Sequence, residues 1–345
     1  MNPSQISDFF AARREKGEDL VLATVVETAG STYSKAGTYM IIDNAGNFRG
    51  MLSGGCLEGD LAERAARVLE SGDAAIAEYN LGADDELFGL GVGCEGTMRI
   101  LLQPLNASSN YEPFQTINDL SNGHAAAKIA LVVASDAATV KPGAATLLVN
   151  EQEIRLGVSD DFAVDFSVHG LQNYRTGDTA CQVLVFEIHP TPRLLILGAG
   201  MDSEPIVGLA SELGWRCTIQ DHRPSYIEGR NLPSRVEKLC MPAAEVSQQI
   251  ELADFDLAMI MSHHLATDTE YLRQLASTNI GYVGLLGPPH RRDRILASAS
   301  DAAAKLAGRL HGPAGIDLGG RGPGPIALSI IAEMQRYLAS RATGE

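Results

Sequence analysis

Residues 193–203, RLLILGAGMDS, constrain this 345-residue chain more than any other stretch. RLLILG is a short apolar run ending in glycine, which predicts a buried strand. Gly198-Ala199-Gly200 follows, and then a helical pattern opens. The first glycine permits a tight turn and the second lets backbone approach a diphosphate. The helix start offers free N–H groups and the positive end of its dipole. Asp221 ends the next strand, 23 residues after Gly198, where an acid would meet a ribose hydroxyl.

The pattern around that turn alternates. Strands are predicted at 193–198, 216–221, 257–264 and 281–287, with a weaker one at 236–240; helices fall near 203–213, 243–251, 267–277, 290–309 and 325–341. Strands alternating with helices imply a doubly wound, Rossmann-like parallel sheet covered on both faces. Pro190 and Pro192 interrupt regular structure just before it, dividing the chain into 1–189 and 190–345. Parallel strands end together on the edge where such sheets bind ligands. His263 and His264 close one of these strands and Gly287–Arg292 follow the next. One histidine is expected to face the crevice, and Arg291 is a candidate to hold a phosphate or carboxylate. The bland alternatives are a hydrogen-bonded histidine pair and a solvated helix start. The histidine spacing lacks the form of dedicated metal ligands.

The first half reads as α+β. A helix is expected over 4–16, a strand over 21–30, and a hairpin over 38–52 turning at Asn44–Asn47. A helix follows within 53–72 and ends at Gly72; strands are expected at 74–82 and 97–105. Residues 106–127 read as a polar, irregular surface connection, and 128–189 as further strands. The chain has five cysteines without CxxC spacing, an odd count that suits a reducing compartment. Cys56 lies between Gly54-Gly55 and a helix start, a setting that favours thiolate, soft metals and sulfur chemistry. Cys94 sits in a second glycine-rich loop, Gly91–Gly96, and is expected to share a cleft with Cys56. The competing reading makes both thiols buried small hydrophobes. Cys181, Cys217 and Cys240 are expected in the core.

A net charge of −16 argues against nucleic acid and anionic membrane surfaces as partners. No run of 18 apolar residues is present, and the polar N-terminus does not read as a signal peptide, so a cytoplasmic protein is expected.

Several motifs together resemble the xanthine dehydrogenase accessory family (XdhC/CoxI). Gly30-Ser31-Thr32 with Gly37 and Met40, Ser53–Glu58, and Gly91–Gly96 resemble its first-domain motifs. LLILGAG, QDHRP (220–224), SHHLATDTEYL (262–272), GYVGLLGPPHRR and LHGPAGIDLG (310–319) resemble its Rossmann domain. Tyr33, Ser34, Glu95 and Gly324-Pro325 depart from the family's usual residues. The resemblance implies a homodimeric accessory chaperone. It would bind molybdenum cofactor, support its sulfuration with a cysteine desulfurase, and help insert it into a molybdenum hydroxylase client. It makes Cys56 and Cys94 the reactive thiols, with Cys56 toward the metal. Gly54, Gly55, Gly198, Gly200, Asp221, His263, His264 and Arg291 become cofactor-binding candidates, with NAD(P) as a candidate second ligand. The alternatives from other classes are an NAD(P)-linked oxidoreductase and a nucleotide-binding regulatory module.

Overall fold

The computed structural model describes residues 2–81, 96–137, 139–160, 162–176 and 179–343. The chain divides into two compact units, Met1–Pro190 and Thr191–Glu345.

In the first unit α1 (Pro3–Glu15) starts where the Asn2 side chain accepts from the Gln5 amide and Pro3 fills the first turn; it buries Ile6, Phe9 and Phe10. β1 (Leu20–Gly30) leads to the hairpin β2 (Tyr39–Asp43) and β3 (Phe48–Arg49). Asp43 organises that turn, its carboxylate accepting from the amides of Ala45 and Asn47. α2 (Glu58–Ser71), β4 (Ala75–Asn80) and β5 (Gly96–Leu105) complete an antiparallel sheet of order β3-β2-β1-β5-β4. α2 ends at Gly72, whose φ is +72°. A Cβ there would meet open space, so the strain is conformational alone. Gly72→Ala is expected to cost about 1 kcal/mol, read as a small fall in urea midpoint without a change in slope.

α3 (Phe114–Asn122) precedes β6 (Ala127–Ser135), β7 (Ala145–Val149), β8 (Gln152–Leu156), β9 (Gly170–Thr176) and β10 (Thr179–Ile188). These strands form a second antiparallel sheet, β8-β7-β6-β10-β9. The two sheets share a core: Leu20, Leu22 and Leu101 of the first pack with Ile129, Leu131, Leu147 and Leu184 of the second. The alternate residues of β1, Val21, Ala23 and Val25, pack with Leu61, Ala65 and Val68 of α2 instead. Residues 106–127 are not the expected irregular surface connection: α3 drives Phe114 and Ile117 into the shared core. Its polar residues masked two apolar positions three apart, which is one helical face.

The second unit runs β11 (Arg193–Leu197), α4 (Ser203–Glu212), β12 (Arg216–Asp221), α5 (Pro224–Glu228), β13 (Glu237–Cys240), α6 (Val246–Gln249) and β14 (Leu257–Ile260). It continues through α7 (Leu265–Leu275), β15 (Tyr282–Leu285), α8 (Pro289–Ser298), α9 (Ser300–Lys305), β16 (Leu310–His311) and α10 (Pro323–Thr343). The strand pairs are parallel and the order is β13-β12-β11-β14-β15-β16. Strand succession therefore reverses between β11 and β14, the switch point of a Rossmann sheet. Leu194 and Ile196 of β11 face α4 and α10, while Leu195 and Leu197 face α7 and Ile295 of α8.

The helix expected over 290–309 is two, broken at Ala299, whose φ of −145° is not helical. Cys240, expected in the core, is exposed, because β13 is the edge strand of its sheet among the described residues. Cys181 and Cys217 are buried, and burial pushes the Cys217 thiol up to about 12. No described helix is long and apolar enough to cross a membrane.

Candidate functional site

In the first unit the loop Ser53–Leu57 joins the β2–β3 hairpin to α2. Gly54 and Gly55 have φ of +79° and +111°, values that side chains rarely adopt. The loop is closed from within by Glu58, the first residue of α2. Its Oε1 accepts the amides of Leu52 and Ser53, both at 2.9 Å. Its Oε2 accepts the Gly55 amide at 3.0 Å and the Ser53 hydroxyl at 2.5 Å. Ser53 Oγ in turn accepts the Leu57 amide at 2.8 Å. Burial alone would raise the Glu58 carboxyl, but the hydrogen bonds from Ser53 and the neighbouring amides outweigh it and hold the group below its ordinary value.

Cys56 is half-buried two residues ahead of α2, and its thiol donates to the Ser53 carbonyl at 3.4 Å. The β1–β2 connection lies against this loop. The buried Ser34 hydroxyl donates to the Leu52 carbonyl at 2.6 Å. A Cβ on Gly54 would sit 3.3 Å from the Tyr33 ring, which is otherwise exposed. Tyr33 and Ser34 of the β1–β2 connection are thus packed against the loop that leads into α2. Sequence reasoning missed Glu58 as its keystone; the signal was a carboxylate five residues after Ser53, closing a glycine turn at a helix start. The amides of Leu52, Ser53 and Gly55 are already taken, so an arriving anion finds those of Gly54 and Cys56, which carry no hydrogen bond among the described residues. Cys94 lies outside the described residues. Among those described, no group of three or more His, Cys, Asp or Glu side chains is arranged to hold a metal ion.

In the second unit the predicted strand-end residues do share one edge. A Cβ on Gly198 would strike the Met261–Ser262 backbone at 2.5 Å, so this glycine lets β11 and β14 close on each other. A Cβ on Gly200 would come within 3.4 Å of the His263 ring. His263 has φ +62°, and its Nε2 lies 2.8 Å from Asp202 Oδ2. Ser203 is fully buried and donates to the Gly200 carbonyl at 2.7 Å, locking the turn. The amides of Gly200, Met201 and Asp202 carry no intramolecular hydrogen bond among the described residues. They are the donors that a phosphate at this helix start would use.

The other predicted residues are turned inward or aside. His264 caps α7, with its Nδ1 2.9 Å from Thr267 Oγ1. Arg291 Nη2 donates to Asp268 Oδ2 at 2.6 Å, and Asp268 Oδ1 takes the Ser262 amide at 3.0 Å and its hydroxyl at 2.5 Å. Arg291 therefore ties the start of α8 to the start of α7 and, through Asp268, to the loop after β14. Asp268→Asn would set an amide donor against Arg291 inside a buried cluster. It is expected to cost about 2 kcal/mol, seen as a lower denaturation midpoint for the second unit, with hydrogen exchange rising in residues 262–268 and 287–292. Asp221 is fully buried and its carboxylate is occupied by Ala199 and Arg223 rather than open to a ribose.

Together these features define a two-part protein: a thiol-bearing glycine loop on an antiparallel two-sheet unit, and a Rossmann unit with an open glycine turn. The family described as the XdhC and CoxI family matches residues 13–80, and the XdhC Rossmann domain matches residues 194–334. The chain belongs to the XdhC/CoxI family, the two matches together spanning more than half of it. It is 27% identical over 325 residues to a probable xanthine dehydrogenase subunit of Bacillus subtilis (strain 168), covering 93% of each chain. It is 24% identical over 323 residues to the molybdenum cofactor insertion chaperone PaoD of Escherichia coli (strain K12), covering 92% of this chain and 83% of that one. A crystal structure described as a xanthine dehydrogenase from Bacillus halodurans superposes with a TM-score of 0.78 at 26% identity, covering 99% of this chain and 97% of the other.

Proposed function

We propose that this protein is an accessory chaperone that binds molybdenum cofactor as cargo, supports its sulfuration, and helps insert it into a molybdenum hydroxylase of xanthine dehydrogenase or CO dehydrogenase type. The observation that carries this is Cys56, a half-buried thiol held over a pre-formed glycine loop, in a chain similar along nearly its whole length to a molybdenum cofactor insertion chaperone. A thiolate is a soft ligand suited to molybdenum or to a sulfur in transit. The Gly54 and Cys56 amides, with Tyr33 beside them, offer donors for a phosphate and an aromatic face for a flat pterin. Glu58 keeps the loop in shape before cargo arrives, so little ordering cost falls on binding.

The working form is a cytoplasmic homodimer, a cysteine desulfurase supplies the sulfur, and the second unit holds NAD(P) at the Gly198–Asp202 turn. The three free amides of that turn support a phosphorylated ligand. The test is mass spectrometry and metal analysis of the full chain isolated from a molybdenum-replete host, with client activity after co-expression. Protein free of pterin and molybdenum, and a client equally active without it, would end this reading.

A further inference from the structure

We propose that the second unit selects dinucleotides carrying a 2′-phosphate, the NADP class, over the NAD class, through Arg223. This rests on reading the Gly198–Asp202 turn as a nucleotide site.

In a Rossmann sheet the adenosine ribose lies over the end of the strand that follows the glycine turn, here β12. An NAD-type site presents a carboxylate there, because a 2′-hydroxyl is bound best by an acceptor. This chain has its carboxylate at that place but has sealed it. Asp221 Oδ1 accepts the Arg223 amide at 3.0 Å and Arg223 Nε at 2.8 Å. Oδ2 accepts the Ala199 amide at 2.8 Å and Arg223 Nη2 at 2.7 Å. Each oxygen holds two donors and the side chain has no exposed surface, so a ribose finds no acceptor. Asp221 instead braces the glycine turn through Ala199.

What the strand end presents is donors. Arg223 is 30% exposed. Its Nε and Nη2 are committed to Asp221, which leaves Nη1 outside those bonds. One face of the guanidinium lies over the Tyr226 ring at 3.6 Å, which fixes its plane and leaves the other face for an adenine. His222, more exposed than Arg223, stands next to it with its Nδ1 3.5 Å from Asp221. Arg230 approaches the same Tyr226 ring at 5.4 Å while its Nε holds the Ala199 carbonyl at 2.9 Å. Arg223 and Asp221 nearly cancel in charge, so the selectivity comes from matching donors to acceptors. A phosphate monoester offers Arg223 and His222 several charged acceptor oxygens, whereas a hydroxyl offers a single neutral one.

The experiment is calorimetric titration of the full chain with NADP⁺ against NAD⁺, and with adenosine 2′,5′-bisphosphate against 5′-AMP, pairs that differ by one phosphate. The 2′-phosphorylated member of each pair is expected to bind at least about ten-fold more tightly. Arg223→Ala is expected to remove that preference, read as the ratio of affinities within each pair. Because Arg223→Ala uncovers a buried carboxylate, His222→Ala serves as the second variant. It leaves the four hydrogen bonds to Asp221 in place and is expected to weaken only the 2′-phosphorylated ligands, by a few-fold. Equal or tighter binding of NAD⁺ overturns the selectivity and leaves the nucleotide site standing. No binding of any of the four overturns both. A 2′-phosphate preference that survives in a folded Arg223→Ala protein overturns the role of Arg223.

Discussion

Cys56→Ser is expected to fold as the parent protein does and to fail as a chaperone. The structural half of this expectation follows from the loop. Serine keeps the size, can donate to the Ser53 carbonyl as the thiol does at 3.4 Å, and leaves every Glu58 bond in place. The stability change should therefore be within about 0.5 kcal/mol. The functional half follows from chemistry. A hydroxyl is a hard donor that stays protonated near neutral pH, so it neither holds molybdenum as a thiolate does nor carries sulfur. Activity of the co-expressed hydroxylase should drop at least about ten-fold, the scale on which disturbed metal sites lose affinity, and molybdenum should vanish from the purified accessory protein. Nucleotide binding at the second unit should be unchanged. Full client activity with Cys56→Ser would reduce this cysteine to a packing residue and leave the amides of Gly54 and Cys56 and the Tyr33 ring as the cargo contacts.

Glu58→Ala is expected to have the largest effect on stability. The Glu58 side chain is buried, and its two oxygens satisfy three backbone amides and one hydroxyl. Alanine strands the donors that water does not reach, so the cost should be about 3–5 kcal/mol. Glu58→Gln keeps one acceptor oxygen but turns an amide donor toward other donors, so it should cost about 2 kcal/mol. The same carboxylate makes the first unit acid-labile in a defined direction. Its folded value lies below the ordinary one, so its contribution is fully present above the ordinary glutamate value of about 4.3 and is lost as pH falls through the depressed folded value. Denaturant titrations from pH 7 down to pH 3 should show the parent losing stability on the acid side and Glu58→Gln losing less. Parallel losses in the two proteins would mean that other carboxylates govern the acid response. Asp221 adds to it in the second unit: burial raises its carboxyl, but the Arg223 and Ala199 hydrogen bonds prevail and lower it, giving the same sign.

Much of the second unit could be read along the chain, because a buried parallel strand must be apolar throughout and a glycine turn must follow it. RLLILGAG states both conditions in eight residues, and β11 and the Gly198 turn lie where they predict. Polar edge strands carry no such mark. β8, QEIRL, is exposed along almost its whole length, so no alternation distinguishes it from a loop. The two-residue β16, paired with β15, is too short to show a period.

The candidate sites divide on the same physical line. Residue type and local spacing determined that Cys56 would stand beside two left-handed glycines at a helix start, since turn geometry is settled within a few residues. They likewise placed Gly198, Gly200 and one of the pair His263 and His264 on one edge, since parallel strands end together; the structure puts His263 there. Which polar atoms remain open was decided by tertiary structure, because hydrogen-bond partners come from residues distant in sequence. Asp221 looks like a ribose acceptor until the side chain of Arg223 folds back on it and Ala199, 22 residues away, takes a share of its second oxygen. Arg291 looks like an anion site until Asp268, 23 residues away, claims its guanidinium. A short motif states what chemistry a residue can perform, and the packed fold decides whether that residue is already spent on holding the protein together.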